Sequence, residues 1–135
     1  MKIHTFVIPA YNESPYLEQC IQSLRAQKHE SQIIITTSTP NNYIKTLVDK
    51  YQLDYFINNS DEKGIASNWN FALSKSSTVL TTIAHQDDIY LPDFSEQIIK
   101  AYNANCKDWL IAFTGYKDLV GTAVRNISLN DIVKK

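Results

Sequence analysis

Two carboxylates stand side by side in the run TIAHQDDIYLPDF, at Asp87 and Asp88. Adjacent like charges repel, and each makes ionising the other more costly. Three things settle such a pair: a metal ion, a basic side chain or plain water. Carboxylate oxygens suit Mg²⁺ or Mn²⁺, which bind through one or two carboxylates and complete their shell with substrate phosphates. A unit charge pair about 4 Å apart contributes roughly 4 kcal/mol at an intermediate dielectric, so such an ion could neutralise a diphosphate leaving group. The same acids would serve equally in a solvated turn that caps the next helix. His85, two residues earlier, is a metal neighbour, a phosphate donor or simply a packed ring.

Two other stretches offer polar groups at strand-to-helix turns. In VIPAYNE, Tyr11 could stack on a base, and Asn12 and Glu13 could bind ribose. The plainer reading has Asn12 forming the bend and Ser14 capping a helix. In KGIASNWNFALSKS, Gly64 permits close backbone approach, and Asn68 and Asn70 could bond a phosphate or sugar. There Trp69, Ala72 and Leu73 read as core. His4 and His29 carry no assignment. Neither a Gly-x-x-x-x-Gly-Lys nor a Gly-x-Gly-x-x-Gly loop occurs, and no Gly-x-Ser-x-Gly elbow does.

The elements that must position these groups alternate regularly. HTFVIPA predicts a strand over 4–10, and Ser14 with Pro15 opens a helix whose apolar face is Leu17, Cys20, Ile21 and Leu24. QIIITTS is a second strand with the continuous apolar centre of one buried on both faces. Thr39 and Pro40 open a helix striped by Tyr43, Ile44, Leu47, Val48 and Tyr51. DYFIN is a third strand, and a helix runs from Ile65 to about Lys75. STVLTTIA is the fourth strand and delivers HQDD at its carboxyl end. Pro92 starts a helix with Phe94, Ile98, Ala101 and Tyr102 inward, and WLIAFTGY reads as a fifth strand. This alternation predicts an α/β fold, a mostly parallel sheet with helices on both faces. Ligands of such sheets sit beyond the carboxyl ends of the strands, where all the polar turns above fall.

Bulk properties exclude several classes. The 135 residues make about one domain, with 44% hydrophobic and 20% charged residues and a net charge of -1. No basic footprint for nucleic acid exists. No apolar run approaches the roughly 20 residues of a membrane helix, and the N-terminus turns polar too soon for a signal peptide. The two cysteines, Cys20 and Cys106, have no metal-type spacing and read as reduced thiols of a cytoplasmic protein.

In this order and spacing, FVIPAYNES, GIASNWNFALSKSS and TTIAHQDDIYLPDF resemble family 2 glycosyltransferases of the GT-A fold, over about residues 3–120. The resemblance implies a nucleotide-diphospho-sugar donor held at the carboxyl edge of the sheet, with a uridine donor as the first guess. Asp88 would coordinate Mg²⁺ or Mn²⁺, and Asp87 would contact ribose or the metal's shell. Pro9, Tyr11 and Glu13 would line the nucleoside pocket, Ser38 would face the base, and Asn70 would sit near the donor. The acceptor would be a sugar, polysaccharide or lipid-linked hydroxyl that attacks the donor's anomeric carbon with inversion, in an enzyme of polysaccharide synthesis working in the cytoplasm beside a membrane.

The chain departs from the family pattern in three places. Thr37 and Ser38 stand where a pair of acids is common, His85 where an acid often opens the metal motif, and Trp69 where relatives are frequently basic. The catalytic base of relatives comes from a region after the fifth strand, and Glu62, Asp93, Glu96 and Asp118 do not match it. The expectation is therefore a single domain, 1–135, that is the donor-binding part of a longer enzyme. Two alternatives stay open: a non-catalytic nucleotide-sugar-binding module, and a nucleotidyltransferase.

Overall fold

The computed structural model describes residues 2–105, 111–112, 114–120 and 123–126. Four strands, β1 (His4–Ala10), β2 (Gln32–Thr37), β3 (Asp54–Ile57) and β4 (Leu80–Ile83), form one sheet in the order β3-β2-β1-β4. All three pairings are parallel, with Val7 of β1 opposite both Ile34 and Ile83. The chain lays β2 and β3 on one side of β1 and then returns to place β4 on the other. The carboxyl ends of β1 and β4 thus flank the point where strand order reverses, the crevice in which open α/β sheets bind ligands.

The period-2 alternation of β1 and β2 sorts their side chains between two layers. Phe6, Ile8, Ala10, Ile33 and Ile35 pack with α1 (Leu17–Arg25) and α2 (Asn42–Tyr51). Leu17, Cys20, Ile21 and Leu24 of α1, and Ile44, Leu47 and Val48 of α2, supply the helical side of that core. Phe94, at the start of α4 (Phe94–Asn105), packs on the same face. Val7, Ile34 and Ile83 point the other way, toward Ala72 of α3 (Ile65–Leu73). Each large side chain buried in these layers contributes about 1.5–3 kcal/mol of transfer free energy. Helices on both faces of a parallel sheet are as the alternation predicts.

Several boundaries differ. The first helix begins at Leu17, and Ser14 serves the turn before it, its hydroxyl accepting from the Tyr16 N–H at 3.3 Å. The second is capped by Asn41, whose side chain accepts from the Ile44 N–H at 2.9 Å, because Thr39 is engaged with Asn12. Trp69 and Leu73 are not core: they are 37% and 41% exposed, and Ala72 is the buried residue of α3. In α4, Ser95 and Ile99 are buried while Ala101 is exposed.

The predicted fifth strand falls partly outside the described residues, as does Cys106; its described positions, 111–112 and 114–116, are not strand. Instead β5 (Lys117–Val120) pairs antiparallel with β6 (Ala123–Asn126) in a separate two-stranded sheet.

Candidate functional site

The turn after β4 is built by one backbone bond, from the Asp88 N–H to the His85 carbonyl at 3.1 Å. A four-residue turn brings its first and last side chains to the same side. Accordingly His85 Nδ1 and Asp88 Oδ2 lie 3.5 Å apart, each side chain about half exposed. From beneath, the Cys20 thiol of α1 donates to the His85 carbonyl at 3.3 Å. Burial pushes that thiol up to about 12, with Asp88 and Asp87 adding to the shift, so it stays protonated. Burial also holds the Asp88 carboxyl above its usual range; His85 pulls it back and Asp87 raises it further.

The loop after β1 is locked onto this turn. The Gln86 side chain accepts from the Tyr11 N–H at 3.0 Å and donates to the Tyr11 carbonyl at 3.2 Å. A planar amide thus satisfies both backbone groups of Tyr11 across the switch point and leaves its ring 54% exposed. Asn12 follows in the left-handed region (φ 52°), which asparagine tolerates better than most residues. Its N–H donates to Thr39 Oγ1 at 2.7 Å and its carbonyl accepts from Asn41 Nδ2 at 3.1 Å, which ties in the loop after β2. Gln86→Ala should lower stability by about 1–2 kcal/mol, the usual cost of such bonds, and speed hydrogen exchange at the Tyr11 amide. Chemical denaturation with amide exchange checks both.

A third chain of bonds fixes the orientation of Ser38. The Ser60 N–H donates to Asn58 Oδ1 at 3.1 Å, which assigns that amide unambiguously. Asn58 Nδ2 then donates to Asn68 Oδ1 at 3.0 Å, and Asn68 Nδ2 to Ser38 Oγ at 3.1 Å. Ser38 therefore accepts from the protein and keeps its own proton to donate. Gly64, at the head of α3, adopts φ 114°; a Cβ there would meet no atom within 4 Å, so conformation and not space selects glycine.

Six of the seven residues expected for the donor and metal lie at the carboxyl ends of β1, β2 and β4 or in the loops after them, and Asn70 is the sixth of the nine residues of α3. Pro9 is half-buried at the end of β1, Ser38 half-buried after β2, and Tyr11, Glu13, Asn70, Asp87 and Asp88 are exposed. Hydrogen bonding links Tyr11 to the acidic turn through Gln86, and links Ser38 to α3. Glu13, in the loop after β1, and Asn70, within α3, make no hydrogen bond to the other candidates among the described residues. The two departures at positions 69 and 85 touch: the Trp69 indole stacks on the His85 imidazole, with centroids 5.2 Å apart and planes 28° apart. Gln86, Asn58 and Asn68 were not singled out as a supporting frame, since their partners lie 10 to 75 residues away in sequence.

A divalent ion fits Asp88. The carboxylate is about half exposed in the turn after β4, and partial burial, more than any neighbouring charge, raises its pKa. Among the described residues no three His, Cys, Asp or Glu side chains converge. Any divalent ion at Asp88 would therefore take most of its shell from water and substrate oxygens. A separate cleft of about 370 Å³, lined by Lys2, Arg25, Glu30, Gln32 and Asp54 among others, opens at the amino ends of the strands. Its charges are already engaged, Lys2 with Glu30 at 2.7 Å and Asp54 with Gln32 at 2.8 Å, and it lies on the side of the sheet away from the acids.

The geometry agrees with comparison to known proteins. The chain is similar in structure to Staphylococcus aureus TarS: TM-score 0.67, 18% identity, 77% of this chain and 20% of that one. It is also similar to the Pyrobaculum calidifontis mannosyltransferase PcManGT, solved with GDP-Man and Mn²⁺: TM-score 0.62, 19% identity, 74% and 32% covered. A third likeness is to CMP:2-keto-3-deoxy-manno-octonic acid synthetase complexed with CTP, at TM-score 0.60, 12% identity, and 78% and 48% coverage. The chain spans between a fifth and a half of these structures. No curated protein sequence matches it. No helix among the described residues is long and apolar enough to cross a membrane. The sequence profile of glycosyl transferase family 2 matches residues 5–130, and the chain, a GT-A-type α/β domain, belongs to that family.

Proposed function

We propose that this chain is the donor-binding part of a metal-dependent, inverting glycosyltransferase that uses a nucleotide-diphospho-sugar. The observation that carries the reading is the joining of the β1 and β4 loops at the switch point, where Gln86 clamps Tyr11 beside the two acids. Tyr11 offers its exposed face to the base, Ser38 donates its hydroxyl proton to a base acceptor, and Asp87 receives the ribose hydroxyls. Pro9 and Glu13 complete the nucleoside wall, and Asn70 of α3 faces the sugar. Asp88 holds Mg²⁺ or Mn²⁺, which when bound offsets the charge growing on the departing diphosphate.

Transfer then breaks the bond from the anomeric carbon to the phosphate oxygen and forms one to the acceptor oxygen from the opposite side. The acceptor proton passes to a carboxylate supplied from a further region. The coverage of only a fifth to a third of the glycosyltransferases it matches supports a larger whole. The acceptor is a sugar, polysaccharide or lipid-linked hydroxyl, and the setting is the cytoplasm at a membrane surface.

Calorimetric titration with UDP, GDP and CDP, each with and without Mn²⁺, tests the reading. Binding that requires both nucleotide and metal supports it, and heat-silent titrations for all three nucleotides refute it. Within that experiment Ser38→Ala should weaken the preferred nucleotide about five- to tenfold, the worth of one hydrogen bond to an uncharged group. The likeness to a CTP-bound synthetase favours one second reading, nucleotidyl transfer. Release of inorganic diphosphate from a nucleoside triphosphate and a sugar would distinguish it.

A further inference from the structure

We propose that His85 is a second protein ligand of the divalent cation, and that the His85–Asp88 pair makes this site prefer a transition ion such as Mn²⁺ over Mg²⁺. The inference rests on the donor-site reading above and specifies its metal. Bonds of about 2.1 Å set roughly 90–110° apart place two donor atoms on one ion about 3.0–3.4 Å from each other. His85 Nδ1 and Asp88 Oδ2 stand 3.5 Å apart, within a small side-chain rotation of that span.

Two contacts hold the backbone of His85 and a third its imidazole. The turn bond from the Asp88 N–H and the Cys20 thiol both fix the His85 carbonyl. The Trp69 indole covers one face of the ring and sets its plane, leaving the Nδ1 edge toward Asp88. Trp69 acts through His85 and is a positioning residue. Metal-bound imidazoles depend on such outer contacts for their orientation.

The ligand chemistry sets the preference. Mg²⁺ demands oxygen donors in a near-ideal octahedron, whereas transition ions accept an imidazole nitrogen. An acid at position 85 would give an all-oxygen pair suited to either ion. Histidine withdraws one negative charge and one hard donor, which penalises Mg²⁺ more than Mn²⁺.

Pulsed electron paramagnetic resonance on the intact chain with Mn²⁺ and inorganic diphosphate gives a direct readout. Nitrogen-14 coupling of imidazole type, lost in His85→Ala and weakened in Trp69→Ala, is the expected result. Competition by Mg²⁺ gives a second: the Mn²⁺-to-Mg²⁺ affinity ratio should fall about tenfold in His85→Ala, with His85→Asp recovering Mg²⁺ binding. Metal binding without nitrogen coupling, and with a ratio unchanged in His85→Ala, would overturn this assignment and leave the donor site standing. No metal binding at all, even with diphosphate, would overturn both.

Discussion

Asp88→Asn should weaken Mn²⁺-dependent binding of a nucleoside diphosphate by at least about a hundredfold, equivalent to roughly 2.7 kcal/mol. The substitution keeps the shape of the side chain and removes only its charge and one metal-binding oxygen. At an intermediate dielectric a single unit charge pair at contact distance already approaches this magnitude, and the ion carries two charges. The fold should not suffer. Burial holds the Asp88 carboxyl above its usual range, so ionising it opposes folding slightly, and a neutral amide relieves that cost. The expected pattern is a metal-dependent loss of affinity at unchanged thermal stability, read by calorimetry and a melting scan. Nucleotide binding that keeps its full Mn²⁺ dependence in the variant would remove Asp88 from the metal site.

The second large effect lies at the opposite end of the sheet. His4 is fully buried, with Nδ1 2.8 Å from Ser31 Oγ and Nε2 2.8 Å from Thr82 Oγ1. The ring also meets Phe6 edge-on at 4.5 Å. Burial, with a smaller push from His29, lowers its pKa from 6.5 to about 4. A base that is harder to protonate when folded favours the folded state above pH 6.5, where both states are neutral. As pH falls from 6.5 toward 4 the unfolded chain binds a proton that the fold refuses. Stability is then lost, approaching about 3 kcal/mol at the bottom of that window. Urea unfolding at pH 7 and pH 4 reads the effect, and His4→Gln should flatten this part of the profile. Equal losses in the two proteins would show that other groups carry the acid sensitivity.

Periodicity made the four parallel strands, the buried faces of α1 and α2 and the carboxyl-edge location of the acids legible, because each is a local pattern repeated within one element. The features it missed are contacts between elements. Trp69 sits at helical spacing from Ala72 and so reads as core, yet its neighbour is an imidazole from another loop. His4 shows nothing in sequence because its partners lie 27 and 78 residues away. Gln86 is unremarkable between a histidine and two acids until the strand order brings Tyr11 alongside. The first helix starts late because Ser14 has the composition of a cap and spends it on the preceding turn.

Strand β4 has β1 on one side and no strand on the other among the described residues. The acidic turn that follows β4 is held by three contacts: an amide to the β1 loop, a thiol from α1 and an indole from α3. The indole stands on a helix that buries Ala72 against the sheet and ties Asn68 to Asn58 and Ser38. Those contacts come from three different elements, so no single one of them alone fixes where the two carboxylates stand.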